Sequence, residues 1–170
     1  LGRMLAMAAS RLNFRTVILE PQADCPAAQL ANEQIVAAYD DKAALERLAG
    51  LCDVISYEFE NVPVEAARLL ETLKPVYPPS RALEVAQDRL VEKTFLNDCG
   101  IPTAEFRAID SQADLDAALA AFGGAGVLKT RRLGYDGKGQ ILFRVGDSAE
   151  GAYAKLGGVP LILESFIPFE

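Results

Sequence analysis

The runs TVILE at 16–20, DVISYEF at 53–59 and PVYP at 75–78 are short and rich in β-branched or aromatic residues, and helical stretches separate them. DKAALERLAG (41–50) has helical spacing and closes on Gly50, and VEAARLLETL (64–73) has it as well. Strands alternating with helices predict a parallel α/β sheet, which restricts the first half to few folds. Such sheets usually open on a strand, whereas residues 1–13 place Leu1, Met4, Leu5, Ala8 and Leu12 on one helical stripe. The expectation is that Leu1-Gly2-Arg3-Met4 ends a strand–turn–helix whose strand lies upstream, where ligands of such sheets tend to sit. The other reading is a plain N-terminal helix.

The second half has a different rhythm. Ser80–Gly100 is expected to be helical, with Asp88 starting RLVEKTFLNDC, Gly100 as the stop and Pro102 beyond it. TAEFRAI (103–109) is a strand. Ser111 and Asp114 form a capping-box pattern for a helix through Phe122, and Asp147 with Glu150 repeats it before a short helix. GVLKT (126–130), QILFRV (140–145) and PLILESFI (160–167) are further strands. The pattern strand–helix–hairpin–helix–strand is an α+β arrangement, so two subdomains are expected, joined among the helices of 80–100.

Composition narrows the function. A chain of 170 residues, 51% hydrophobic and 24% charged, is globular. No apolar run approaches the roughly 20 residues that span a bilayer, and no signal peptide is visible, so a cytoplasmic location is expected. The net charge of −7 argues against a nucleic-acid surface. Cys25, Cys52 and Cys99 are widely spaced and read as reduced thiols. There is no His, so acid–base chemistry falls to carboxylates, Lys, Tyr or substrate.

Against that acidic background, RRLGYDGKG (131–139) joins two antiparallel strands through nine residues, where hairpins ordinarily use about two to five. From Lys129 to Gln140 four cations face one anion, a local charge of +3 that suits a small polyanion. Gly134, Gly137 and Gly139 leave successive N–H groups free to converge on an anion. Lys138 sits at the tip, and Lys129, on the entering strand, is placed to reach back to a phosphate. The loop lacks the Walker pattern and precedes a strand. Spacing alone does not choose between a phosphate-covering flap and a solvated loop.

Other candidates carry the same ambiguity. Glu58 and Glu60 in YEFEN are spaced to share a strand face, where they would hold an amine or a metal or form a solvated edge. Glu20 closes its strand as a ribose-binding acid would, but without G-x-G-x-x-G. Arg89 and Lys93 share a helix face, either as phosphate contacts or as solubilising charge.

Taken in order, LGRM, YEFENV (57–62), QDRLVEK (87–93), GYDGKGQ (134–140) and LESFIPFE (163–170) resemble the N5-carboxyaminoimidazole ribonucleotide synthetases, ATP-grasp enzymes of purine biosynthesis. The resemblance runs along the entire chain. It implies a Rossmann-like α/β N-terminal domain with linker helices (1–93), the α+β central lid of an ATP-grasp fold (94–165), and the start of a C-terminal domain (166–170), with truncation at both ends. It also implies ATP, magnesium, bicarbonate and aminoimidazole ribonucleotide as reactants, with carboxyphosphate between them. A homodimer with no nucleic-acid or membrane partner is expected. In this pattern Arg89 and Lys129 meet ATP phosphates and Gly134, Tyr135, Asp136, Gly137, Lys138, Gly139 and Gln140 form a flap. Glu164, Ser165, Phe166 and Ile167 form the strand whose backbone reads adenine. Tyr135, Asp136, Lys138, Glu58 and Glu60 face aminoimidazole and bicarbonate. The metal ligands are expected outside these residues, and the 170-residue piece alone is not expected to turn over. The competing readings are another carboxylating ATP-grasp ligase and a non-catalytic ATP-binding module.

Overall fold

Residues Leu1–Glu84 form one unit and Val85–Glu170 another. The computed structural model describes residues 1–134 and 138–168 of them. In the first unit the order is α1 (Gly2–Arg11), β1 (Val17–Leu19), β2 (Glu33–Ile35), α2 (Lys42–Leu51), β3 (Ile55–Ser56), α3 (Val64–Glu71) and β4 (Val76–Tyr77). Asp41 starts α2 because its carboxylate accepts the Ala44 N–H at 3.0 Å, satisfying a donor the helix cannot use. Ala44, Leu45, Leu48 and Ala49 then recur on one buried face, and Ala66, Ala67 and Leu70 do so on α3. Ile35, Ile55 and Val76 meet these helices in one core, where each large side chain removed from water contributes roughly 1.5–3 kcal/mol.

Both strand pairs are parallel, as the alternation predicts, but they are two separate two-stranded sheets, β1–β2 and β3–β4. A groove of about 600 Å3 touches Leu5 and Ala9 of α1, Val17 and Leu19 of β1, and Ile55 of β3. The strand β2 is not foreseen in the sequence. Its partner β1 reaches it through a loop carrying a single 3-10 turn at Ala28–Leu30, not through a helix. The helix α2 also runs one residue past the expected stop at Gly50, because Gly50 keeps helical backbone and Cys52 turns extended.

The helix α4 (Ser80–Ala86) follows, and the second unit continues with α5 (Arg89–Asp98), β5 (Phe106–Ile109), α6 (Gln112–Ala121), β6 (Gly126–Thr130), β7 (Gln140–Phe143), α7 (Ala152–Lys155) and β8 (Leu161–Ser165). Asp88 accepts from Leu90 and Val91 N–H and starts α5 as expected. Gly100, at φ +77°, ends it. Ser111 accepts the Asp114 N–H at 3.1 Å and starts α6. The second expected capping pattern is not one. Asp147 instead accepts the Arg144 N–H at 2.7 Å to close a turn, and Gly151 precedes α7.

The four strands of this unit form one antiparallel sheet in the order β5-β8-β6-β7. The strand β8 lies between β5 and β6, which explains its unbroken apolar run: Leu161, Ile162 and Leu163 are fully buried. Ile109, Leu128, Phe143, Leu161 and Leu163 form a core with Leu115 and Leu119 of α6.

Candidate nucleotide site

Side chains of β6 and β8 alternate across the sheet, so while Leu128, Leu161 and Leu163 enter the core, their neighbours face the other way. Lys129 lies opposite Ile162, which places Glu164 diagonally across from it on the same face. The Lys129 Nζ donates to Glu164 Oε2 at 3.0 Å. The Lys93 Nζ, from α5, lies 3.3 Å from that same oxygen. The Glu164 side chain is only 11% exposed. Two ammonium groups therefore converge on one buried carboxylate, leaving the cluster with one surplus positive charge.

Arg89 lies one turn before Lys93. Its guanidinium Nη2 donates to the Gly134 carbonyl at 3.0 Å, and its backbone N–H donates to the Arg131 carbonyl at 3.0 Å. The start of α5 thus holds the entrance of the glycine hairpin. That helix end is not itself an anion site, because its free donors are taken by Asp88 and Arg131.

The basic island is less available than its sequence suggests. Arg131 donates from Nε and Nη2 to the Asp88 carboxylate, the closest contact being 2.7 Å, and Arg132 donates to Gln87 Oε1 at 2.5 Å. These arginines hold the hairpin base and have their charge or donors engaged within the chain. Burial pushes the Asp88 carboxyl upward, but Arg131 and the N–H groups of Val91 and Leu90 outweigh it and hold it below the usual range.

Two glycines at the base are closely packed. Gly139 adopts φ +70°, and a Cβ there would sit 2.8 Å from Thr130 Oγ1. At Gly134 a Cβ would meet the same oxygen at 3.0 Å and the Lys138 carbonyl at 3.2 Å. The Thr130 N–H also donates to the Gly139 carbonyl at 2.9 Å, closing the hairpin. Lys138 is exposed, and Gln140 pairs with Lys129 across β6–β7. Tyr135, Asp136 and Gly137 lie outside the described residues.

The structure therefore brings together Arg89, Lys129, Gly134, Gly139, Gln140 and Glu164 in the second unit. Ser165 ends β8, and Phe166 and Ile167 follow it half-exposed. Glu58 and Glu60 belong to the first unit, both exposed, and β3 stops at Ser56, so strand alternation does not align them. Glu20 is taken up locally, accepting from the Tyr39 hydroxyl and from the Gln22 N–H. Sequence reasoning missed Thr130 and the Asp88–Arg131 clamp, whose partners are 43 residues apart. Among the described residues no group of three or more carboxylate, thiol or imidazole side chains is gathered to hold a metal ion. No helix is long and apolar enough to cross a membrane among the described residues.

A ribonucleotide synthetase preATP-grasp domain matches residues 1–87, and an ATP-grasp domain matches residues 94–170. The N5-carboxyaminoimidazole ribonucleotide synthase of Brucella melitensis is 58% identical over all of this chain and 48% of its own length. A Staphylococcus aureus N5-carboxyaminoimidazole synthetase solved with ADP superposes at a TM-score of 0.94 with 34% identity, covering 100% of this chain and 46% of that one. An Aspergillus clavatus enzyme solved with ADP and 5-aminoimidazole ribonucleotide superposes at 0.88 with 27% identity, over 100% and 45%. The chain spans about half the length of the curated relatives it matches. With both domain models matched in sequence, the chain belongs to the ribonucleotide synthetase preATP-grasp family, continues as ATP-grasp sequence from residue 94, and is similar along its whole length to N5-carboxyaminoimidazole ribonucleotide synthetases.

Proposed function

We propose that the full-length protein is an ATP-dependent carbon–nitrogen ligase that carboxylates 5-aminoimidazole ribonucleotide with bicarbonate. The observation that carries this reading is the 58% identity to the Brucella melitensis enzyme over the whole chain. A bicarbonate oxygen attacks the γ-phosphorus of ATP, releasing ADP and forming carboxyphosphate. The exocyclic amine then attacks the carboxyl carbon, phosphate leaves, and the amine gives up a proton. Carboxyphosphate needs shelter from water, which a glycine hairpin closing over phosphates supplies.

In this reading Lys129 and Arg89 neutralise phosphate charge, with Arg89 exchanging its Gly134 carbonyl for a phosphate oxygen. The flap is 134–140 (Gly134, Tyr135, Asp136, Gly137, Lys138, Gly139 and Gln140), with Gly134, Gly139 and Gln140 at its base. Tyr135, Asp136 and Lys138 act on the reacting groups. The backbone of Glu164, Ser165, Phe166 and Ile167 reads the adenine edge, and Glu58 and Glu60 serve the aminoimidazole side. Residues 94–165 act as the lid and 166–170 begin the next domain. Magnesium accompanies ATP and screens its phosphates, and none of the described side chains is assigned to it. The protein acts in the cytoplasm as a homodimer, with no nucleic-acid or membrane partner.

A steady-state assay of the full-length protein tests the reaction. ADP release is expected only when bicarbonate and aminoimidazole ribonucleotide are both present. Equal turnover with biotin or glycinamide ribonucleotide would point to another carboxylating ligase, and nucleotide binding without turnover would point to a non-catalytic module.

A further inference from the structure

The proposed phosphate-binding Lys129 does not stand alone, and its arrangement raises an electrostatic difficulty. A lysine paired one-to-one with a buried carboxylate is neutralised, and an incoming phosphate would meet that carboxylate's repulsion. The Glu164 side chain, 11% exposed and 3.0 Å from Lys129, is such a carboxylate. The second ammonium resolves the difficulty. Lys93 reaches the same Oε2 at 3.3 Å with its side chain 17% exposed.

We propose that Lys93 is a positioning residue of the nucleotide site: it neutralises Glu164 so that the charge of Lys129 remains available to an anion. The inference rests on the reading of Lys129 as a phosphate contact, and it assigns Lys93 a role through Glu164 without contact to the nucleotide. Two features favour this over a merely solubilising lysine. Lys93 is mostly buried, where an unpaired ammonium is costly, so its place depends on Glu164. Lys129 comes from the sheet and Lys93 from α5, so Glu164 also ties α5 to the face on which Lys129 lies.

Charge at the cluster changes sign-specifically with these side chains, which packing alone would not produce. In Lys93→Met the cluster falls from one surplus positive charge to none. In the double variant Lys93→Met/Glu164→Gln the surplus returns. Calorimetric titration of the full-length protein with a non-hydrolysable ATP analogue should therefore show about tenfold weaker binding for Lys93→Met. The double variant should regain affinity to within about threefold of the unchanged protein, and Lys93→Arg should keep it. Thermal unfolding without nucleotide identifies any variant that fails to fold. In that event Lys93→Gln and Lys93→Gln/Glu164→Gln, closer in polarity, serve as the single and double variants.

A double variant that binds no better than Lys93→Met, or a folded Lys93→Met that binds normally, overturns the inference. Binding that is lost in Lys129→Met while Lys93→Met is normal leaves the nucleotide reading standing and removes only the role of Lys93. If the unchanged protein does not bind the analogue, or binds it equally well as Lys129→Met, both fall together.

Discussion

Asp88 and Arg131 meet through both carboxylate oxygens and two guanidinium nitrogens, with the closest approach at 2.7 Å. One residue starts a helix and the other leaves a strand, so a single ion pair joins the start of α5 to the base of the glycine hairpin. The same carboxylate also accepts the N–H groups of Leu90 and Val91. Its two duties can be separated by mutation. Asn still caps a helix but cannot pair with Arg131 as an ion, whereas Ala does neither. Asp88→Asn is expected to cost roughly 3 kcal/mol in urea unfolding, and Asp88→Ala about 1 kcal/mol more. Equal stability of Asp88→Asn and the unchanged protein would show that the ion pair contributes nothing.

The depressed Asp88 carboxyl also fixes a pH dependence. A group whose folded pKa lies below its unfolded value stabilises the fold above the unfolded value, near 4 for Asp. That stability is lost as pH falls through the lower, folded value. Acid unfolding below about pH 4 should therefore be less steep in Asp88→Asn than in the unchanged protein. Superimposable acid profiles would contradict the assignment.

The two glycines Gly139 and Gly50 should respond in opposite directions. Gly139→Ala forces a Cβ to 2.8 Å from Thr130 Oγ1 at φ +70° and is expected to cost about 1–2 kcal/mol. Gly50 lies within α2 with nothing within 4 Å of an added Cβ, so Gly50→Ala should stabilise by about 0.5–1 kcal/mol. Thermal unfolding of the two variants checks both signs at once.

Much of the fold is legible in the chain, and the failures have physical causes. The strands β1, β6 and β8 announce themselves by continuous apolar or β-branched residues, and Asp88, Ser111 and Gly100 mark helix ends by side chain and backbone chemistry. The strand β2 is silent because Glu33 and Gln34 are polar and only Ile35 is buried. Asp147 has the residue type of a cap but spends its carboxylate on a turn. In the site, glycine spacing locates the hairpin, yet it overstates the charge, since Arg131 and Arg132 are held by Asp88 and Gln87. The convergence of Lys93 and Lys129 on Glu164 depends on strand register and helix placement, which no local pattern encodes.

Glu20 and Tyr39 supply a check in the first unit. The Tyr39 hydroxyl donates to Glu20, and burial, then that hydrogen bond, push the phenol up to about 12. A raised phenol stabilises the fold below its ordinary value near 10 and loses that contribution as pH rises toward the folded value. Burial raises the Tyr57 phenol as well, so ultraviolet titration should show late-ionising tyrosines, with the transition near 12 missing from Tyr39→Phe and shifted down in Glu20→Gln. A transition near 12 that persists in Tyr39→Phe would place the most shifted group elsewhere.

In the proposed function, the sheet face bearing Lys129, with the hairpin base beside Arg89, receives the phosphates of ATP. A crystal structure of the full-length protein with a non-hydrolysable ATP analogue tests it directly. Lys129 Nζ and the Arg89 guanidinium are expected within about 3 Å of phosphate oxygens, with the backbone of 164–167 at the adenine edge. An analogue bound elsewhere, with Lys129 meeting only Glu164 and Arg89 still on the Gly134 carbonyl, would contradict it.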